Sequence, residues 1–409
     1  MVTVGIKSYK DNLSVEDQAK ELKELALSTG VNIVDEIICF KDKPTPDLYI
    51  GEGKVEELKN ECTENNINSV IFNNDLTGTQ QRNLEQALEI KTIDRTQLIL
   101  DIFARHAKSP EGKIQVELAQ LEYLLPRLGG KGIVLSRMGG GIGTRGPGEQ
   151  KLEIDRRRIK ERISRLKKEV DSMIIRRQTM KKKRVDCAVP TISLVGYTSA
   201  GKSTLLNSLT GSEQKTSKHL FTTLDTIARN LSLSNHQKVV LSDTVGFIDN
   251  LPPHLIDAFK ATLEEITQSE LLIHVLDVSD PRFHEHHRAV MEILNKIGID
   301  EKKIITALNK IDKLEDRTWF EKIKRDYDGC VEISALTKEN LSGLLSLIEK
   351  RLVNISSLVH IKLPLNKMDI VDLIYREGLV KSIDYTADCI EIKAVLPNRA
   401  VSRIKNFLV

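Results

Sequence analysis

Residues 196–203 read G-Y-T-S-A-G-K-S, which fits the spacing G-x-x-x-x-G-K-[ST] of a phosphate-binding loop. The apolar run 191–195 before this loop predicts a strand, and residues 203–209 after it predict a helix. A glycine loop between a strand and a helix presents backbone N–H groups and the positive helix end to a phosphate. The segment therefore predicts a nucleotide-binding domain of the α/β class. Its candidate nucleotide contacts are Gly196, Tyr197, Thr198, Ser199, Ala200, Gly201, Lys202 and Ser203.

A few side chains near the phosphates are predicted to carry the chemistry together with Mg²⁺. Lys202 would reach the β- and γ-phosphates, and the Ser203 hydroxyl would bind the metal. Asp243 follows an apolar strand and would hold a Mg²⁺-bound water, with Gly246 of the same motif beside the γ-phosphate. Thr223 would supply the second direct contact to Mg²⁺, and Lys202, Thr223 and Gly246 are the catalytic candidates. The two motifs comprise Phe221, Thr222, Thr223, Leu224 and Asp225, and Asp243, Thr244, Val245 and Gly246.

Two further motifs predict which base is bound. Asp312 follows an apolar run and can accept two hydrogen bonds from the N1–H and 2-amino groups of guanine. Adenine offers no such pair and would leave a buried carboxylate unpaired. The Ala335 amide, after another apolar run, can support the base. In this order the motifs predict a GTPase that converts GTP to GDP, rather than a P-loop kinase or an ATPase. The candidate base contacts are Asn309, Lys310, Ile311, Asp312, Ser334, Ala335 and Leu336.

The composition fits a soluble protein of two or three domains. Of 409 residues, 29% are charged and 40% hydrophobic, and no apolar run approaches the roughly 20 residues of a membrane-spanning helix. The N-terminus is neither a signal peptide nor a transit peptide by pattern. Five cysteines lack C-x-x-C spacing, which is typical of unpaired thiols in a reducing compartment. We therefore expect a cytoplasmic protein without a membrane anchor, and we take it to be a monomer.

Changes of pattern along the chain predict four domains. Alternating strand and helix signals in 1–110 indicate a small parallel α/β subdomain. Residues 111–188 have the apolar stripes of a helical hairpin, and 189–356 hold the nucleotide motifs. The remaining residues, 357–409, predict a small α+β domain. The predicted fold is thus a multidomain α/β protein built around a P-loop GTPase domain.

The hairpin region combines apolar seams with strong positive charge. Apolar residues recur there at heptad-like steps in two stretches, which can pack against each other as an antiparallel hairpin. Residues 151–190 carry fifteen Lys/Arg against six Asp/Glu, whereas the whole chain has a formal net charge of only +3. This basic face is either an ordinary solvated surface or a surface for RNA. In the second case Arg156, Arg157 and Arg158 are candidate RNA contacts.

The loop between these helices, 129–148, contains nine glycines, three basic residues and no acid. Gly141, Gly143 and Gly146 form a literal G-x-G-x-x-G, but no strand precedes it as a dinucleotide site requires. A flexible linker is one interpretation of the loop. The other is an RNA-contacting tip, because exposed backbone N–H groups and arginines suit phosphates. The candidate RNA contacts of this tip are Gly139, Gly140, Gly141, Gly143, Thr144, Arg145 and Gly146.

Three stretches make the chain resemble the HflX family of translational GTPases. They are Y-I-G-E-G-K-V-E-E-L at 49–58, G-I-G-T-R-G-P-G-E at 141–149 and D-T-V-G-F-I at 243–248. The resemblance covers about residues 1–356 and implies an N-terminal α/β subdomain with a hairpin, a Ras-like GTPase domain and a ferredoxin-like C-terminal domain. It further implies that the hairpin tip reaches the rRNA of the large ribosomal subunit. The GTP-bound form would then split or rescue stalled ribosomes under stress.

Two positions bear on the rate of hydrolysis and on cofactors. Phe247 stands where GTPases of the Ras type have a water-orienting Gln, as is usual in the HflX family. The resemblance therefore predicts slow intrinsic hydrolysis that a ribosome accelerates. Ser199 stands where HflX-like loops usually carry Asn, which helps bind an activating monovalent cation in related GTPases. Serine is a shorter and weaker ligand, which argues against stimulation by potassium.

Other functions remain as alternatives. A GTPase could act on another RNA target, in tRNA modification or ribosome assembly, although no catalytic cysteine motif or second cofactor signature supports a modifying enzyme. A GTP-dependent signalling switch is disfavoured by the basic hairpin. One further cluster, His284-Glu285-His286-His287, lacks the H-E-x-x-H spacing of a zinc site. We interpret it as a solvated helix end.

Overall fold

The chain forms two compact units in the computed structural model. The first comprises 1–173, 217–225 and 249–261, and the second comprises 174–216, 226–248 and 262–409. The predicted α/β fold class is confirmed, whereas the domain limits at 110, 188 and 356 stay predictions. The structure describes residues 1–6, 14–128, 147–185, 189–212, 220–221, 226–235, 237–249, 260–299, 303–315, 323, 327, 329–386, 389–397, 401 and 404–409.

A four-stranded parallel sheet forms the core of the first unit. The strands are β1 (Val2–Ile6), β2 (Ile37–Lys41), β3 (Ser69–Phe72) and β4 (Lys91–Asp94). Their order in the sheet is β2-β1-β3-β4, and the pairing of β1 with β2 starts where Val2 faces Ile37. The helices beside them are α1 (Val15–Ser28), α2 (Glu52–Glu64), α3 (Gly78–Leu88) and α4 (Arg95–His106).

Polar side chains fix where the helices of this unit begin. Ser14 Oγ accepts a hydrogen bond from the Asp17 amide at 3.1 Å, which caps α1. Thr77 and Gln80 form a capping box at the start of α3. The N–H groups of a first helical turn have no partner inside the helix, so such caps determine the starting residue.

Two helices, α5 (Pro110–Arg127) and α6 (Pro147–Val185), pack along an apolar seam that buries Leu118, Ile163 and Leu166. Glu117 accepts Nε and Nη2 of Arg162 at 2.7 and 2.8 Å on one flank of the seam. On the other flank, Lys167 Nζ lies 2.8 Å from Glu122 Oε1. With the buried seam residues at heptad positions a and d, Glu117 and Arg162 both occupy position g, and Glu122 and Lys167 both occupy position e. Pairs of g with g and of e with e are the pattern of antiparallel helices. The packing agrees with the hairpin expected from the sequence.

The fully buried carboxylate of Asp94 holds the last turn of α5 against the sheet. Its Oδ1 accepts the Tyr123 hydroxyl at 2.8 Å and the Gln97 amide at 2.8 Å. Its Oδ2 accepts the Leu76 amide at 3.2 Å and Arg127 Nη2 at 3.0 Å. Burial raises the pKa of Asp94, and the hydrogen bonds from Gln97 and Tyr123 oppose this shift. One carboxylate thus fixes the point from which the chain enters the glycine-rich loop.

We predict that Asp94→Ala lowers the free energy of unfolding by about 3 kcal/mol, because it leaves the largely buried Arg127 guanidinium without its carboxylate. Urea unfolding followed by circular dichroism measures the change. Glu89→Ala is the matched control, since that carboxylate is 75% exposed and pairs with Lys59 on the surface. Equal losses in the two variants would contradict the structural role given to Asp94.

The second unit contains a six-stranded sheet in the order β10-β9-β8-β5-β7-β6. Neighbouring strands are parallel except β6, which runs antiparallel to β7. The strands are β5 (Thr191–Val195), β6 (Ile227–Ser232), β7 (Lys238–Asp243), β8 (Leu271–Asp277), β9 (Ile304–Asn309) and β10 (Cys330–Glu332). Helices α7 (Lys202–Thr210), α8 (Lys260–Gln268), α9 (Phe283–Lys296) and α10 (Leu341–Ile355) accompany them.

A second, antiparallel sheet follows at the end of the chain. It has the order β11-β13-β12 and a small core centred on Ile361, Ile374 and Ile392. Its elements are β11 (Ser356–Pro364), α11 (Met368–Glu377), β12 (Leu379–Tyr385) and β13 (Cys389–Pro397). Across the described part of the chain, no helix is both long enough and apolar enough to cross a membrane.

Candidate nucleotide-binding site

The predicted nucleotide motifs meet at one edge of the six-stranded sheet. The 196–203 loop follows β5, the 243–246 motif ends β7, and the 309–312 motif ends β9. These strands are parallel, so their carboxyl ends face the same side of the sheet. In α/β sheets ligands bind in the crevice at this edge. The strand order therefore brings the three motifs together, as the sequence predicts.

Two positions of the 196–203 loop require glycine. Gly196 and Gly201 have φ angles of +154° and +100°, which residues with a side chain rarely adopt. A Cβ atom on Gly196 would lie 2.3 Å from the Val275 carbonyl oxygen, and one on Gly201 would lie 2.3 Å from Asn309 Nδ2. The loop thus lies directly against β8 and the 309–312 motif. Gly201 also precedes α7, whose N-terminus offers backbone N–H groups to an anion.

Lys202 is buried at the centre of the loop. Its Nζ donates to the carbonyl oxygens of Gly196 at 3.0 Å and Tyr197 at 2.8 Å. Burial lowers the pKa of Lys202 to about 8, and the nearby Asp243 carboxylate opposes the shift. A phosphate beside this ammonium group would favour its charged form. The geometry therefore suits a lysine that binds the terminal phosphates.

Ser203 and Asp243 form an oxygen pair of the kind that Mg²⁺ prefers. Ser203 Oγ donates to Asp243 Oδ2 at 2.6 Å, and Asp243 is fully buried at the end of β7. Magnesium in proteins is bound by hard oxygen ligands and keeps several waters. A hydroxyl and a carboxylate at this separation fit a direct ligand and a carboxylate that holds a metal-bound water.

The backbone after Gly246 is joined to the phosphate-binding loop. The Phe247 amide donates to the Gly196 carbonyl at 3.0 Å, and the Thr198 amide donates to the Phe247 carbonyl at 2.8 Å. The Phe247 ring is buried, and no polar atom of this side chain can orient a water. Gly246 itself is tightly packed, since a Cβ atom there would lie 2.9 Å from Thr198 Cγ2 and 3.1 Å from Lys202 Nζ.

The predicted base motifs are linked through one side chain. Asn309 Nδ2 donates to the Ala200 carbonyl at 2.8 Å, and its Oδ1 accepts the Ala335 amide at 2.9 Å. Ser334 Oγ donates to Asp312 Oδ1 at 2.6 Å and so orients that carboxylate. Leu336 is 73% exposed, which leaves its side chain at the surface. The arrangement can present a carboxylate edge and a backbone amide to a purine.

Several predicted residues lie outside the described part of the chain. They are Thr222, Thr223, Leu224 and Asp225 of the magnesium motif, and Gly139, Gly140, Gly141, Gly143, Thr144, Arg145 and Gly146 of the tip. Phe221 is described, is buried and contacts the edge of the Phe103 ring at a centroid distance of 4.7 Å. Arg156, Arg157 and Arg158 are all exposed on α6.

The interpretation of His284 to His287 as a solvated helix end is wrong for two of its residues. His286 is buried and stacks on the ring of Tyr197 with 4.0 Å between centroids. The Nδ1 atoms of His287 and the fully buried His274 lie 3.3 Å apart. The sequence interpretation failed because it could not show that β8 places His274 against α9. Through the stacking of His286 on Tyr197, the cluster packs against the phosphate-binding loop.

Comparisons with known proteins identify the family. Residues 16–104 match the family described as GTP-binding GTPase N-terminal, and 106–184 match the GTP-binding GTPase middle region. Residues 191–310 match the family described as 50S ribosome-binding GTPase. GTPase HflX of Caldanaerobacter subterraneus subsp. tengcongensis is 43% identical over 394 residues, which cover 96% of this chain and 91% of the relative. The chain belongs to the GTPase HflX family.

Other HflX proteins are nearly as similar. GTPase HflX of Escherichia coli K12 is 41% identical over 348 residues, 84% of this chain and 81% of the relative. Among solved structures, a GDP complex of a GTP-binding protein from Sulfolobus solfataricus is 28% identical, with a TM-score of 0.44. That match covers 86% of this chain and 98% of the archaeal chain. The family relationship establishes GTP binding and GTP hydrolysis as the activity of this chain.

Gly246→Ala should weaken binding of a non-hydrolysable GTP analogue by about tenfold or more while GDP binding changes little. The added methyl group would push the 243–246 motif away from Thr198 and Lys202, where the γ-phosphate is expected. Titration with fluorescent nucleotides measures both affinities. Gly53→Ala is the control, because nothing lies within 4 Å of a Cβ atom there. Equal losses for GDP and the analogue would contradict the assignment of Gly246.

Stability should fall as the pH drops below about 6.5, the usual pKa of an unfolded histidine. Burial is the larger cause and the charge of His284 the smaller cause that together lower the pKa of His287 to about 4. The unfolded chain therefore takes up a proton before the folded chain does, and stability is lost between these two values. Thermal melting of His287→Gln should depend less on pH in this window. His360→Gln, at an exposed histidine, should melt with the wild-type pH dependence.

Proposed function

We propose that this GTPase associates with the large ribosomal subunit and splits or rescues stalled ribosomes under stress. The observation that carries the proposal is an exposed, basic helix in a chain of the HflX family. That helix is α6, with Arg156, Arg157 and Arg158 on its surface. The family description of the GTPase region as 50S ribosome-binding supports the same partner. Because ribosomes are in the cytoplasm, a factor that acts on them would be cytoplasmic. A monomer would be sufficient for this activity.

The nucleotide chemistry follows from the residues around the phosphate-binding loop. Lys202 would neutralise the β- and γ-phosphates, and Ser203 with Thr223 would bind Mg²⁺ directly while Asp243 holds a metal-bound water. Mg²⁺ held by these residues would supply positive charge that offsets the negative charge developing on the phosphates. The Gly246 amide would contact the γ-phosphate. Backbone hydrogen bonds of Phe247 join the 243–246 motif to the phosphate-binding loop. A change from GTP to GDP in that loop would therefore alter the conformation of the residues that follow Phe247.

Hydrolysis by the chain alone should be slow. Phe247 lies beside Gly246 and offers no polar atom to the attacking water. A partner that reorganises this segment could supply the missing water-orienting group. The ribosome would then set the time at which GTP is hydrolysed and the factor released. Ser199, at a φ of +57°, would offer only a short side chain to a monovalent cation, which disfavours activation by potassium.

The arginines of α6 remain available for phosphates. Arg157 pairs with Glu161, and both side chains are more than 60% exposed. Arg158 lies 3.9 Å from Asp155, at the limit of an ion pair. Exposed pairs of this kind contribute little to stability, so a phosphate can replace the carboxylate at low cost. The glycine-rich tip, Gly139 to Gly146, would extend the RNA contact beyond this helix.

Binding to purified large subunits tests the proposed partner. We expect the chain to pellet with large subunits more strongly with a non-hydrolysable GTP analogue than with GDP. The triple variant Arg156→Ala/Arg157→Ala/Arg158→Ala should weaken pelleting and reduce the slope of log affinity against log salt by about 2, because phosphate contacts are lost. Sedimentation at several salt concentrations measures both effects.

The control variant removes the same number of charges elsewhere. Lys20, Lys23 and Lys59 are also exposed and paired with acids on the surface, so their replacement by alanine should leave pelleting unchanged. Equal pelleting with GDP and the analogue, or equal losses in both triple variants, would contradict a specific ribosome site. Preferential binding of tRNA or assembly intermediates would favour the alternative of another RNA target.

A further inference from the structure

The loop after β8 lies between the two halves of the nucleotide site. In the sheet β8 is the neighbour of both β5, which leads to the phosphate-binding loop, and β9, which leads to the 309–312 motif. Asp277 is the last residue of β8 and faces Asn309 in the strand register. The Val278 amide also donates to the Asn309 carbonyl at 3.1 Å. None of the nucleotide motifs predicted from the sequence contains a residue of this loop.

Asp277 forms a close ion pair with a residue of the base motif. Lys310 Nζ donates to Asp277 Oδ2 at 2.5 Å, and the two side chains are 23% and 18% exposed. The other carboxylate oxygen, Oδ1, accepts the Ser279 amide at 3.0 Å and the Ser279 hydroxyl at 2.6 Å. These bonds hold the carboxylate in one orientation. Asp277 is therefore a fixed anchor for the lysine rather than a mobile surface acid.

The lysine itself starts from an unusual backbone. Lys310 has φ +67° and ψ +34°, so its side chain leaves β9 in a direction that a regular strand would not allow. Its hydrocarbon stem must run from the end of β9 to the end of β8, and thus towards the phosphate-binding loop. A nucleotide with its base at Asp312 and its phosphates at Lys202 has to follow the same edge of the sheet. A nucleoside bound in this way would therefore lie beside the lysine stem.

We propose that Asp277 is a positioning residue of the guanine-nucleotide site, which fixes the Lys310 ammonium group so that the lysine stem forms a rigid wall beside the nucleoside. A lysine stem offers apolar surface to an aromatic base while its charged end stays solvated or paired. Without the anchor the stem would have to be ordered each time a nucleotide binds, at a cost in affinity. The proposal rests on the assignment of Asp312 as the base-binding carboxylate.

Nucleotide affinity separates this role from catalysis. Asp277→Ala should weaken GDP and the GTP analogue equally, by about tenfold. Without the anchor, the Lys310 stem would have to be ordered beside the nucleoside, which is the part that both nucleotides share. The kcat for GTP should stay within about twofold, since the phosphate site is untouched. Asp277→Asn keeps the shape of the side chain but removes the charge, and it should lie between the wild type and Asp277→Ala. Thermal melting without nucleotide checks that both variants fold.

Two controls make the test decisive. Asp280 lies on the same loop but bonds to Arg282, at 3.0 and 2.8 Å, so Asp280→Ala should leave both affinities unchanged. In a double-mutant cycle, Asp277→Ala should have no further effect on nucleotide affinity in a Lys310→Ala background. Unchanged affinity in Asp277→Ala, an equal loss in Asp280→Ala, additive losses in the cycle, or a large loss of kcat would each overturn the proposal.

A third variant distinguishes this inference from the assignment on which it rests. Asp312→Ala should abolish the preference for GDP over ADP if its carboxylate reads guanine. If Asp312→Ala leaves that preference intact, the base site is assigned wrongly. If Asp312→Ala removes the preference while Asp277→Ala binds GDP as the wild type does, only the positioning role of Asp277 is overturned.

Discussion

The nucleotide site depends on one buried amide, the side chain of Asn309. Its nitrogen holds the phosphate-binding loop at Ala200, and its oxygen holds the backbone at Ala335. The backbone carbonyl of Asn309 accepts the amide of Val278, so the loops after β5, β8 and β10 are all tied to the end of β9. Because Asn309 is only 1% exposed, water cannot replace these bonds if the side chain is lost. The separation of base and phosphate subsites is therefore built into the protein before nucleotide binds.

The same site is poorly equipped for rapid hydrolysis. Two backbone hydrogen bonds join Phe247 to the phosphate-binding loop, and its buried ring has no polar atom that could orient a water. Slow hydrolysis, as we propose, would suit a protein whose GTP state must persist until a partner is found. The first unit presents a candidate surface for that partner on α6, whose seam with α5 is fixed by Leu166 and by ion pairs on both flanks.

Much of this could be predicted from the sequence, because motif spacing reports on backbone geometry. The spacing of Gly196 and Gly201 predicted a loop between a strand and a helix, and the structure has β5 before this loop and α7 after it, with positive φ at both glycines. What the sequence could not supply was contact between distant elements. The Asp277–Lys310 pair and the stacking of His286 on Tyr197 join residues that are distant in the sequence, and no local sequence pattern predicts such contacts. The histidine cluster was misjudged for that reason. Thr223 and the glycine-rich tip stay predictions.

We propose that this chain is a slow GTPase which waits for the large ribosomal subunit. The most direct test is the rate of GTP hydrolysis by the wild-type protein with and without purified large subunits, at saturating GTP. The rate should rise by about tenfold or more when large subunits are added, because the ribosome would supply the water orientation that Phe247 cannot. An unchanged rate at subunit concentrations that saturate binding would contradict the claim.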